Sequence, residues 1–154
     1  MEQATMLRND ELWARVETLV ARYNRFREHF QAFANNAATL ANEPDGLSAN
    51  ISLVLHLGEN YFEVTFAGRV FRFRFTPRAV AVNDAVDLEG QIVVTEFDRV
   101  TKKEGAKFDS ISFNGTGRTT LVDRLDNDPI NIQTDVGARY LVLHMIYDVI
   151  RAGR

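Results

Sequence analysis

Residues 53–75 read LVLHLGENYFEVTFAGRVFRFRF, and their alternation decides the fold. Large apolar side chains recur at every second position: Leu53, Leu55 and Leu57, then Phe62, Val64 and Phe66, then Phe71, Phe73 and Phe75. A period of two belongs to strands with one buried face, and Glu59-Asn60 and Ala67-Gly68 suit two-residue hairpin turns. With turns there, Leu57 faces Phe62, Leu55 faces Val64 and Leu53 faces Phe66, while Val64 faces Phe71 and Phe62 faces Phe73. One face of the meander is then wholly apolar. The other carries a row of His56, Glu63 and Arg72, where opposite charges across strands add about 0.2–1 kcal/mol.

Upstream, Leu12, Val16, Leu19, Tyr23, Phe26, Phe30 and Phe33, then Ala37 and Leu40, keep alternating spacings of four and three. That 3.5-residue period predicts one long helix, with Asn9 or Asp10 as N-cap and Pro44 with Asp45-Gly46 as its stop. From Glu11 to Ala41 it would run about 46 Å, against about 40 Å for a globule of this length and roughly 20 Å for a strand. The helix therefore breaks near Asn35-Asn36 or overhangs the sheet.

Downstream, Ala79–Val82 is a short apolar piece followed by a polar loop, Asn83–Gly90. Strands at Ile92–Val100 and Phe108–Phe113 flank a three-residue loop, Lys103-Glu104-Gly105, pairing Phe97 with Ile111 and Arg99 with Asp109. Arg118–Val122 is a last strand, without a fixed register, and Asp126–Pro129 a turn. Thr134 or Asp135 caps a final helix with Val136, Tyr140, Leu143, Tyr147 and Ile150 on one face, broadened by Val142, Ile146 and Val149. The expected fold is α+β: a long N-terminal helix, an antiparallel meander of about six strands, and a C-terminal helix on the sheet. The whole chain, 1–154, reads as one domain.

The composition narrows the chemistry. The chain has no cysteine, so disulfides, thiolate metal sites and cysteine nucleophiles are excluded, in keeping with a cytoplasmic setting. Met1–Asp10 lacks the basic and apolar regions of a secretory signal, and Tyr140–Ile150 is too short and too interrupted for a membrane span. A net charge of −3 gives no general attraction for nucleic acid or anionic membranes.

Four arginines, Arg69, Arg72, Arg74 and Arg78, interleave with Phe71, Phe73 and Phe75, as in surfaces that bind single-stranded nucleic acid. Alternation sends the rings to one face and Arg72 and Arg74 to the other, so the candidate binding face is His56, Glu63, Arg72 and Arg74. It reads first as a solvated face beside Glu63 over a phenylalanine core, and as a binding surface it suits an acidic partner or anion better than bases. Asp123, Asp126 and Asp128 lack the spacing of a calcium loop, since Ile130 and Asn131 stand where a donor and a glycine are needed. Gly115-Thr116-Gly117 precedes a strand and lacks the lysine of a phosphate loop, so it reads as a hairpin turn. No metal or cofactor site is expected.

For catalysis, His29, His56 and His144 lie on separate elements and no serine has a nucleophile-elbow setting. His56 beside Glu63 has the form of a base with its orienting carboxylate, and His144 is expected to hydrogen-bond within the core. No catalytic residue is assigned. The order of helix, meander and C-terminal helix resembles the helix-grip arrangement of lipid- and hormone-binding proteins, without a first strand before the long helix. That resemblance implies a cavity for a small apolar ligand. The leading expectation is instead a non-enzymatic interaction protein of adaptor, chaperone or toxin-neutralising type, forming a homodimer or binding another protein. Its dimer seam would be Leu12, Val16, Leu19, Tyr23 and Phe26, widened by Trp13 and Val20.

Overall fold

The computed structural model describes residues 8–42, 50–83, 85–122 and 128–152. Helix α1 spans Asn9–Ala37 and tightens into a 3-10 turn over Ala38–Asn42. Strands β1 (Ile51–His56), β2 (Tyr61–Phe66), β3 (Arg69–Phe75), β4 (Arg78–Val82), β5 (Ala85–Asp98), β6 (Lys103–Phe113), β7 (Arg118–Val122) and β8 (Pro129–Asn131) precede α2 (Asp135–Ala152). The sheet runs β1-β2-β3-β5-β6-β7-β8, with β4 paired to the first half of β5. The architecture is the α+β arrangement the pattern predicts, with eight strands among the described residues rather than about six.

The β2–β3 register is as expected: Ala67 and Gly68 both take positive φ, and Val64 faces Phe71 while Phe62 faces Phe73. The β1–β2 register is displaced by two residues. Leu57–Glu59 form a 3-10 turn closed by left-handed Asn60, so Leu55 faces Phe62, Leu53 faces Val64 and Ile51 faces Phe66. Asn60 is tied to α1, accepting from Arg27 Nε at 3.0 Å and donating to the Tyr23 hydroxyl at 3.1 Å. An even shift leaves every side chain on its expected face, but Val54 rather than His56 now stands opposite Glu63.

The β5–β6 hairpin differs more. Asp98 accepts from the backbone N–H groups of Val100 and Thr101, an Asx turn that reverses the chain at Arg99–Lys102 and draws Lys103 and Glu104 into β6. Two irregularities follow in the ladder, so Ile92 faces Ile111, Val94 faces Asp109 and Phe97 faces Glu104. The expected pairs Phe97–Ile111 and Arg99–Asp109 do not form. The segment from Ala85 to Gly90, expected as loop, is the first half of β5 and makes a hairpin arm with β4. Thr119 Oγ1 donates to the Ile130 carbonyl at 2.9 Å, which fixes β8 beside β7.

One aromatic-rich core holds the layers together. Phe26, Phe30 and Phe33 of α1 pack on Phe62, Phe73, Phe75 and Phe113, with centroids 5.5–5.8 Å apart for Phe26–Phe113, Phe30–Phe62, Phe30–Phe75 and Phe33–Phe62. Gly90 makes room for this stack, because a Cβ there would meet the Phe113 ring at 2.3 Å. Thr134 caps α2, its Oγ1 accepting from the Gly137 N–H at 3.0 Å. Gly137 is forced by close approach: a Cβ would lie 2.0 Å from the Asn131 carbonyl oxygen.

The buried face of α2 is Ala138, Leu141, Val142, Met145, Ile146 and Val149, while Val136, Tyr140 and Tyr147 are exposed. The expected face is thus rotated. This helix is apolar nearly all round, so periodicity alone cannot set its phase, and the small pair Gly137-Ala138 does. At the other end of the chain, Arg8 occupies the cap of α1 without a side-chain bond, in place of the expected Asn9 or Asp10. The helix does not break at Asn35-Asn36. Its expected stop at Pro44–Gly46 lies outside the described residues, as do Asp123 and Asp126 of the acidic group.

Candidate functional site

Both helices lie on the Phe62–Phe73 side of the sheet, and the other side carries the candidate face of His56, Glu63, Arg72 and Arg74. Cross-strand pairing sets His56, Tyr61, Arg74 and Val93 in one row and Val54, Glu63, Arg72 and Thr95 in the next. Arg72 Nε donates to Glu63 Oε1 at 2.9 Å, and its guanidinium lies 3.9 Å from the Phe97 ring centroid and 5.0 Å from that of Tyr61. Arg74 donates to Glu104 at 3.2 Å and sits 4.8 Å from the Tyr61 ring, on which His56 stacks at 4.6 Å. Burial alone would raise the Glu104 carboxyl, but bonds from Thr95 and Arg74 and the charges of Arg74 and Arg72 hold it below the usual carboxylate range.

This face is therefore a closed network of paired charges and rings. Arg69 bonds Glu96 through two nitrogens and Arg78 Nε lies 2.9 Å from Glu89, so each of the four interleaved arginines has its own carboxylate. Glu63 serves Arg72, and the base-and-orienter pair of His56 with Glu63 is not set by the pairing. Tyr61, Phe97 and Glu104 belong to the network and went unseen in the sequence, because the Asx turn at Asp98 and the bulged β5 moved Phe97 and Glu104 into it.

His144 borders a crevice of about 150 Å³ with Asp109, Ser110 and Thr120 rather than sitting in the core. Its Nδ1 lies 3.3 Å from Asp148 Oδ2 without the alignment of a hydrogen bond. Among the described residues, no group of three His, Asp or Glu side chains is placed to hold a metal.

The predicted seam on α1 divides. Phe26 is 2% exposed and belongs to the core of its own chain, and Tyr23 is half-buried against Phe75. Every residue from Asn9 to Thr18 is exposed, with Leu12 at 48%, Trp13 at 62% and Val16 at 43%, and Val20 follows at 52%. The free apolar stripe is thus Leu12, Trp13, Val16 and Val20, with Leu19 turned halfway toward the body.

No family model, no curated protein and no solved structure matches the chain. No described helix is long and apolar enough to cross a membrane.

Proposed function

We propose that this chain is a non-enzymatic protein-interaction module, of adaptor, chaperone or toxin-neutralising type, that assembles with a second copy of itself through the projecting half of α1. The observation that carries this reading is the exposed stripe Leu12, Trp13 and Val16, on the ten successive exposed residues Asn9–Thr18, continued by Val20. An isolated helix of that length is marginal in water, so a covered apolar face stabilises it.

A second copy fits for a steric reason. Beyond Leu19 the same side of α1 is occupied by the sheet, so a partner helix running parallel would meet the body, whereas an antiparallel one leaves past the free end. With a two-fold axis at Val16, Leu12 of one copy meets Val20 of the other, and both Trp13 rings flank the seam. A cytoplasmic setting, without membrane or specific nucleic-acid binding, is part of the reading. It draws on the cysteine-free composition and on the pairing of every arginine in the Arg69–Arg78 run. The carrier alternative has less support, because the core is filled by phenylalanines and the described hollows are open clefts of 150–300 Å³.

Light scattering over a micromolar concentration series tests the proposal. The expected mass is twice the 17.5 kDa of one chain, falling to 17.5 kDa in Trp13→Glu/Val16→Glu with cooperative unfolding of the body retained. A parent mass of 17.5 kDa at every concentration refutes the dimer.

A further inference from the structure

We propose that the cleft between α1 and the β5–β6–β7 end of the sheet is a binding site for a small organic anion. The cleft holds about 290 Å³ and is lined by Arg22, Phe26, Leu88, Glu89, Phe113 and Arg118 among others. That volume is near the lower end of the range of ligand pockets, about 300 Å³.

Two guanidiniums line it, one from α1 and one from β7, and a third stands at its edge beside Gly115. Arg22 and Arg25 stand three residues apart on α1, hence on one face, and Arg118 comes from β7 across the cleft. The Arg25 guanidinium lies against Gly115, its Cζ 3.9 Å from where a side chain there would begin. Gly115 itself is held by His29 Nε2, which donates to its carbonyl at 2.8 Å. The turn is stiffened by Asn114, whose Oδ1 accepts from the N–H groups of Thr116 and Arg118 and from Thr116 Oγ1.

The local charge is not cancelled. Arg22 lies 3.4 Å from Asp87, and the Glu89 carboxylate is engaged by Arg78 and by the Ser112 hydroxyl. Arg25 and Arg118 have no ion-pair partner among the described residues, in contrast to the fully paired Arg72–Arg74 face. Free guanidiniums form charge-assisted, forked bonds with carboxylate and phosphate. Part of the lining is apolar, with Leu88 half-buried against the core beside Phe26 and Phe113, so the anion that fits carries an apolar or aromatic body.

Calorimetric titration of the full chain with phenyl phosphate and with benzoate tests this site, with benzyl alcohol as the uncharged control. At least one anion is expected to bind, the tighter of the two naming the head group. Loss of a charged hydrogen bond in Arg25→Gln or Arg118→Gln should weaken it roughly tenfold or more. Both arginines are exposed, so these variants should melt with the parent, and Arg99→Gln on the opposite face should bind as the parent does. Amide shifts in the parent should centre on Gly115–Thr120. No anion binding up to about 10 mM, equal binding of benzyl alcohol, or affinity unchanged in the two variants would each overturn the proposal.

Discussion

From Phe26 to Ala37, α1 lies on the sheet with Phe26, Phe30, Phe33, Ala34 and Ala37 at 2% exposure or less, whereas from Asn9 to Thr18 every residue is exposed. The same alternation of four and three runs through both halves. A repeat in the sequence therefore says that a face is to be covered and leaves open what covers it. In the C-terminal half the cover is the aromatic floor of β2, β3 and β6, and in the N-terminal half the body supplies none. The changeover falls at Leu19–Tyr23, where Tyr23 reaches Phe75 and Arg22 reaches Asp87.

The sharpest way to break this contrast is a matched pair of truncations. Phe30→Ala removes a ring with no exposure and should cost about 3–5 kcal/mol, whereas Trp13→Ala should stay within about 0.5 kcal/mol in dilute, monomeric protein. Urea unfolding compares them directly, and equal losses would erase the distinction between the halves. A step down in size, Gly90→Ala forces the Phe113 ring off its site and loosens the floor under Phe26, at an expected cost of about 1–3 kcal/mol.

Smaller changes in the sheet should act on global stability and leave the projecting half alone. Ala67 takes φ 51° beside Gly68 at φ 80°, a turn that favours Asn-Gly, so Ala67→Asn should raise stability by about 0.5–1 kcal/mol. The smallest effect is expected at Glu104. Its folded carboxyl is held below the ordinary glutamate value, so its contribution is complete above that ordinary value and is lost as pH falls through the lower, folded one. Glu104→Gln should thus flatten the acid limb of the stability profile below about pH 4.5 and change little at neutrality.

Much of this layout was legible because one strong pattern set it. Strict alternation placed Phe62, Val64, Phe71, Phe73 and Phe75 on the buried face, and the unbroken 3.5-residue repeat gave a helix longer than the sheet. Details that depend on one polar side chain were not legible. Asn60 widened the first turn by bonding to Tyr23 and Arg27, and Asp98 started the β5–β6 turn early, neither of which alters hydrophobic periodicity. The face of His56, Glu63, Arg72 and Arg74 is readable by parity, which carries Tyr61 with it, but the approach of Phe97 depends on the irregular β5–β6 ladder, which no periodicity announces. The cleft of Arg22, Arg25 and Arg118 joins residues more than ninety positions apart, which no local spacing reveals.

Amide hydrogen exchange at two protein concentrations tests the central claim most directly, because it reads the two halves of α1 separately. Amides from Phe26 to Ala37 should be protected at both concentrations. Those from Asn9 to Thr18 should exchange freely in dilute solution and become protected as the protein is concentrated. Unchanged exchange of Asn9–Thr18 across that range would contradict the assignment of the projecting half as the surface that binds a second copy.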